Sequence, residues 1–349
     1  MSTEVKSSFV DKKTDIKKNI LKPDPVLDST LRPKTWADFI GQEKIKKNIK
    51  VILESAKKRK EAPDHLLLYG SAGLGKTTLA HLVSQEIGSD LKITSGPAIE
   101  KAGDLASILA NLSEGDILFI DEIHRLNKMI EEILYSAMES RVLNLILGKG
   151  PSARTVQLDL PPFTLMGATT RAGMISSPLR SRFGAIFKLD FYEDTDIEKI
   201  ISKNASVLEV ELEKEAIEIL AKASRATPRT ANRLLKRSRD LAIVEGNGKI
   251  TGEISKKIME MFEIDELGLE ATDRKILEII IDKFNGGPVG IGAMAAAANE
   301  ERETIEEVYE PYLMRIGFIE RTPKGRVVTG AAYKHLNLYN KDNKQEKLI

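Results

Sequence analysis

The sequence has no cysteine, which excludes disulfide staples and thiolate metal sites. Its four histidines, His65, His81, His124 and His335, are too scattered to suggest a metal cluster. No apolar run approaches the ~20 residues needed to cross a bilayer. The opening stretch "MSTEVKSSFVDKKTDIKK" is polar and lacks an apolar core segment, so neither a secretory signal nor a membrane anchor is expected, and a cytoplasmic location is. Aromatics are few, at 5% of residues. A surplus of one charge sign is missing too: 53 basic residues face 52 acidic ones, so a uniformly basic nucleic-acid coat is excluded and any such contact must be a local patch. What is present is a globular composition of 42% hydrophobic residues over 349 positions, too long for one ordinary core.

The chain divides by pattern. Residues 1–29 are charged, without apolar periodicity, and are expected to be a mobile N-terminal arm. From 30 to 191, short apolar runs ("HLLLYG", "DILFIDE", "FTLMGATT", "AIFKLDF") are separated by helical stretches. This is the pattern of an α/β domain with a doubly wound parallel sheet. Residues 192–263 have helical spacing alone and predict a small all-helical domain. Residues 264–349 predict helices followed by two short strands about a Pro-Lys-Gly turn in "GFIERTPKGRVVT", the outline of a winged helix. Between the α/β runs, "RVLNLILGKGPSARTVQLDLPP" reads as a β-hairpin turning near Lys149–Ser152. Its first strand is more apolar than burial of one face demands.

The stretch "GSAGLGKT" matches G-x-x-x-x-G-K-[ST] from Gly70 to Thr77, between an apolar strand and a helix start. Gly70, Gly73 and Gly75 let backbone N–H groups turn inward around phosphate oxygens, and the helix adds its positive end. Lys76 reaches the β/γ-phosphates and the Thr77 hydroxyl ligates Mg²⁺. A second apolar strand ends in Asp121 and Glu122. Asp121 is expected to hold Mg²⁺, largely through water, and Glu122 to polarise the attacking water, so the site hydrolyses ATP rather than only binding it. His124 is expected to be structural. "LMGATTR" ends a third strand in Thr169 and Thr170, where a hydroxyl can sense the γ-phosphate. "SPLRSRFG" then presents Arg180 and Arg182, poorly placed for their own nucleotide but well placed for a neighbour's. A trans-acting arginine is worth about 10³ to 10⁵ in rate. "ATPRTANRLL" offers Arg229 at a helix start in the second domain, a candidate to reach back to the phosphates.

With these motifs in this order, the chain resembles the P-loop AAA+ ATPases. "LRPKTWADFIGQ", "FIDEIHRL", "GATTRAG", "SPLRSRFG", "TPRTANRLL" and "GFIERTPKGR" make it similar to the RuvB family of Holliday-junction branch-migration motors in particular, from about Leu31 to His335. The resemblance implies a large AAA+ domain, a helical lid and a winged-helix head. It implies that Leu31, Arg32 and Tyr192 lie on the adenine side and that Gly73, Lys76, Thr77 and Thr78 line the phosphates. It further implies that Arg182 is the trans finger, that Arg229 is a second sensor, and that Glu139, Ser140 and Arg141 lie near a nucleotide in the ring. Its implied partners are the duplex arms of four-way junctions, a RuvA-like junction-binding protein docked through the hairpin near residues 142–160, and further copies of the chain in a homo-hexamer. It also admits a RuvC-like resolvase.

At the winged end, residues 315–334 carry Arg315, Arg321, Lys324, Arg326 and Lys334 against Glu320, a local net charge of +4. Arg321, Lys324 and Arg326 stand at or beside the hairpin turn and are expected to extend toward phosphates, which bind without reading bases. The lack of interleaved aromatics argues against a base-stacking platform for single strands. Three other readings carry less. A clamp-loader-like AAA+ subunit leaves the winged helix unexplained. An ATP-switched winged-helix regulator leaves Glu122 and the finger unexplained. The D-E-x-H helicases, whose box "DEIH" also spells, have two tandem α/β domains where one is visible here.

Overall fold

The computed structural model describes residues 29–147, 154–245 and 247–338. By contacts the chain divides into two compact units, Arg32–Tyr192 and the chain from Glu193 onward, with which Leu31 is grouped. The arm expected over residues 1–29 lies, but for Ser29, outside the described residues, as does the hairpin turn at Lys149–Ser152. No described helix is long and apolar enough to cross a membrane.

The first unit is built on a five-stranded parallel sheet. Its strands are β1 (Leu66–Tyr69), β2 (Leu91–Ser95), β3 (Ile117–Asp121), β6 (Thr164–Thr169) and β7 (Ala185–Lys188), in the order β2-β3-β6-β1-β7. β1, β3 and β6 lie inside the sheet and are buried on both faces along almost their whole length, as their unbroken apolar runs require. Helices α1 (Glu43–Arg59), α2 (Lys76–Ile87), α3 (Ala102–Ala110), α4 (Lys128–Ser140) and the short α5 (Ser177–Ser181) complete the unit. Strand β2, "LKITS", was not among the expected strands. It is an edge strand, half exposed, with Ile93 52% accessible, so it lacks the continuous apolar run that marks the inner ones. Gly167, in the middle of β6, has a packing reason. A Cβ there would stand 3.1 Å from Ile123, Leu67 and Phe183 side chains alike.

The expected hairpin is present as β4 (Val142–Leu147) paired antiparallel with β5 (Arg154–Asp159), in the register Leu143↔Leu158 and Leu145↔Val156. Leu143 is buried at its base, whereas Val156 and Leu158 remain 43% and 40% exposed on the same face.

The second unit begins with four helices, α6 (Asp194–Val207), α7 (Lys214–Lys222), α8 (Pro228–Glu245) and α9 (Gly252–Met261). α10 (Ala271–Phe284), α11 (Ile291–Ala298) and a helical segment over 302–315 follow, the last containing a π-turn at Ile305–Tyr309. The wing is β8 (Ile319–Thr322) against β9 (Gly325–Val328), extended by a bridge from Val289 to Arg326. Lid helices and winged helix, read from sequence as successive domains, are clustered together in this one unit. A buried ion pair ties them: Arg225, just before α8, donates two hydrogen bonds to Asp273 of α10, at 2.7 and 3.2 Å, and a third to the Val308 carbonyl. Arg225 also lies over the Tyr312 ring.

Candidate functional site

The candidate nucleotide site gathers at the carboxyl ends of β1, β3 and β6, where an open parallel sheet binds ligands. After β1 the chain turns through Gly70, Gly73 and Gly75, all at positive φ (145°, 81° and 100°). At two of these positions a side chain would also be crowded. A Cβ on Gly70 would stand 2.4 Å from the Leu189 carbonyl oxygen, and one on Gly75 would stand 3.0 Å from the Phe39 ring. Lys76 opens α2; it is buried, and its ammonium donates to the Gly70 and Ser71 carbonyls at 2.8 and 3.0 Å, inside the curve of the loop. Thr77 and Thr78 follow on the first turn, both half-buried.

Asp121 ends β3 and accepts the Glu122 N–H at 3.0 Å. Glu122 takes a left-handed backbone (φ 48°), unusual for a residue with a side chain. Thr170 lies just beyond β6, and its hydroxyl is 3.4 Å from Glu122 Oε2. Sequence reasoning gave His124 no part, yet its Nδ1 is 3.2 Å from Glu122 Oε2 and 2.9 Å from the Thr169 hydroxyl. The only sequence signal was its place one turn after the acidic pair.

On the side assigned to the base, Tyr192 is buried and its hydroxyl donates to the Leu74 carbonyl at 3.3 Å. Arg32 hydrogen-bonds His81 of α2. Burial, and then the Arg32 charge, hold the His81 imidazole below its ordinary value. Leu31 is buried. Arg182 caps the end of α5; its guanidinium is bound to Glu139 at 2.7 Å and lies over the Tyr135 ring. The structure thus brings together two residues taken separately in the sequence. Ser140 and Arg141 adjoin Glu139, exposed at the end of α4. Arg229 is half-buried in the first turn of α8.

These residues fit a nucleotide triphosphate. The loop leaves room only for glycine at Gly70 and puts one lysine and two threonine hydroxyls at the helix start. Among the described residues no group of three or more His, Asp or Glu could hold a metal ion. A Mg²⁺ that keeps its waters and leans on phosphates needs no such cage; one hydroxyl and one carboxylate suffice.

The wing differs from expectation at Arg326. Its side chain is 11% exposed rather than extended toward solvent, with Nε 2.9 Å from Glu310 Oε1. The same carboxylate, itself 1% exposed, binds Arg321 at 2.9 and 3.1 Å, and Arg326 reaches Glu306 at 3.3 Å. Burial raises the Glu310 pKa, but the hydrogen bonds from Arg326 and Arg321 outweigh it and leave the carboxyl below its usual range. The window 315–334 could not show this, because Glu306 and Glu310 come from the preceding helix and offset two of its charges. Arg321 stays about half exposed, and Lys324 is exposed at the turn.

Three family models match in succession. The Holliday junction DNA helicase RuvB P-loop domain covers residues 31–189, the RuvB AAA lid domain 192–265, and the RuvB C-terminal winged helix domain 266–337. Among solved structures, the Thermotoga maritima RuvB Holliday junction branch migration motor is similar at 51% identity and a TM-score of 0.82, over 89% of this chain and 99% of that one. Two substituted forms of the Thermotoga maritima RuvB match at 51% identity over 88% of this chain and 99% of theirs, with TM-scores of 0.81 and 0.82.

Proposed function

The chain belongs to the RuvB family, an ATP-binding Holliday-junction branch-migration motor, and from that premise we propose how its residues divide the work. The observation that carries the reading is the convergence, at three neighbouring strand ends, of a glycine loop with Lys76, an acidic pair and a threonine pair. Gly70, Gly73, Gly75 and Thr78 shape and line the phosphate cradle, and Lys76 meets the β/γ-phosphates. Thr77 and Asp121 hold Mg²⁺, which when bound neutralises charge on the phosphates. Glu122 takes the proton of the attacking water, and Thr170 reports the γ-phosphate. Leu31, Arg32 and Tyr192 form the adenine side, and Arg229 acts as the second sensor from the lid.

Arg182 serves a neighbouring subunit in a homo-hexameric ring, with Glu139, Ser140 and Arg141 at the same boundary. Its pairing with the exposed Glu139 supports this, since an exposed ion pair is worth little and is easily exchanged for a phosphate. Arg321 and Lys324 grip duplex arms through phosphates, without base readout, as movement along any sequence requires. Arg326 instead braces the wing by neutralising Glu310. The exposed Val156 and Leu158 of the hairpin suit docking of a RuvA-like junction-binding protein; a RuvC-like resolvase would act on the same junctions. The domain limits proposed are 30–191, 192–263 and 264–349 after an arm over 1–29, in a cytoplasmic protein.

The test is dissociation of a synthetic four-way junction by the purified chain, with and without a junction-binding partner, and with Lys76→Ala as control. Dissociation requiring ATP, Mg²⁺ and Lys76 and enhanced by the partner is expected. Robust ATP turnover with no junction processing beside a competent partner would refute the assignment.

A further inference from the structure

We propose that His124 is a positioning residue for Glu122, tying the water-activating carboxylate to the end of the γ-phosphate-sensing strand. The inference rests on the reading of Glu122 as the base. Glu122 is held in the left-handed region, which a side-chain-bearing residue adopts only when its surroundings impose it. Gly96 makes room for it: a Cβ there would stand 2.3 Å from the Glu122 carbonyl oxygen. The chain then makes a single tight turn, Ile123–Arg125, that carries His124 back under the acidic residue. Ile123 is fully buried and the His124 side chain is 4% exposed, so the ring cannot swing away.

One ring nitrogen faces two oxygens. His124 Nδ1 is 3.2 Å from Glu122 Oε2 and 2.9 Å from Thr169 Oγ1. The Thr169 hydroxyl also accepts the Arg171 N–H at 2.8 Å. Proton accounting selects the tautomer. Were Nδ1 unprotonated, its lone pair would face a carboxylate oxygen, two acceptors with nothing between them. With the proton on Nδ1, the ring donates toward both Glu122 and Thr169, and the Thr169 hydroxyl keeps its own proton. That proton holds Oε2 in place. β3 and β6 are hydrogen-bonded neighbours, in register at Ile120↔Gly167, so this contact staples the turn after one to the end of the other. Thr170 also approaches Oε2, at 3.4 Å, but has a single proton to give. When that proton turns to a γ-phosphate, His124 is the partner that keeps the carboxylate in place.

The full chain is compared with His124→Leu, His124→Asn, Thr169→Val and Glu122→Gln. His124→Leu should lower kcat for ATP about 10- to 100-fold, the scale of a roughly 1 Å misplacement, with affinity for a fluorescent ATP analogue unchanged within about threefold. His124→Asn, whose amide can donate from near the Nδ1 position, should recover most of the rate. Thr169→Val should cost less than His124→Leu and add little to it. In the nucleotide-free protein, Glu122→Gln should shift the ¹⁵N resonances of the His124 imidazole. Wild-type turnover in His124→Leu, a loss carried wholly by nucleotide affinity, or an asparagine no better than leucine in folded protein would each overturn the proposal. If His124→Leu does not fold, the asparagine variant and the imidazole resonances decide. Hydrolysis that survives Glu122→Gln would instead overturn the reading of Glu122. Its loss there beside normal turnover in His124→Leu would overturn the role of His124 alone.

Discussion

Replacing Arg225 by methionine should destabilise the second unit in a way that depends on pH. The side chains of Arg225 and Asp273 are 9% and 0% exposed, so the pair is buried. Removing one member leaves Asp273 as an uncompensated buried charge, a loss of about 3–5 kcal/mol. For a cooperative unit of this size each kcal/mol moves the midpoint by about 2–4 °C, so the expected fall is roughly 6–20 °C. Burial already pushes the Asp273 carboxyl up, and Arg225 is the main opposing influence. Without that guanidinium the carboxyl rises further and takes a proton on folding. The native variant then binds more protons than its unfolded chain, so its stability increases as pH falls toward the ordinary carboxylate range. The deficit relative to wild type should therefore shrink between pH 8 and pH 5, by at most about 1.4 kcal/mol per pH unit for Asp273. Glu270, which burial pushes up and the Arg225 charge holds back, rises in the variant as well and adds to the change in the same direction. The double change with Asp273→Asn should recover most of the loss. Asparagine retains an acceptor for the Glu270 N–H, which Asp273 caps at 2.9 Å. Urea unfolding of the full chain, followed by hydrogen exchange in α8 and α10, measures all of this. A deficit below about 1 kcal/mol at pH 8, or one that does not change with pH, would refute the argument.

Arg321→Ala should leave the fold intact and lower the salt dependence of duplex binding by about one phosphate contact, a change of roughly 0.9 in the log–log slope; an unchanged slope removes it from the interface. Arg326→Ala should instead lower thermal stability, because Glu310 is 1% exposed and loses one of its two cations, and a variant that loses DNA binding without loss of stability would contradict the brace. Arg182→Ala and Lys76→Ala proteins should each be nearly inactive and recover ATPase activity when mixed, and mixed rings without recovery would argue against the finger. Leu158→Asp should spare basal ATP turnover and abolish stimulation by the junction-binding partner; full stimulation would remove Leu158 from the docking surface.

The inner strands, the glycine loop and the acidic strand end were legible because each is written in consecutive residues. Strands buried on both faces must be apolar throughout, and a loop that curls around phosphate needs glycine at fixed places. β2 was missed because an edge strand buries little and so carries no unbroken run. His124 was passed over because a buried histidine says nothing of which oxygens it faces. Those oxygens belong to Glu122, two residues away, and to Thr169 on another strand.

The wing shows the same boundary most clearly. Its sequence determined that arginines cluster at a hairpin, but not which of them meet solvent. That was decided when the helix over 302–315 packed beneath the wing and placed Glu310 between Arg321 and Arg326. A charge counted along the chain is a sum over neighbours in sequence, whereas its availability depends on neighbours in space. Among the described residues the guanidinium groups of Arg321 and Arg326 neutralise Glu310, so the fold commits Arg326 to it and leaves Arg321 half exposed.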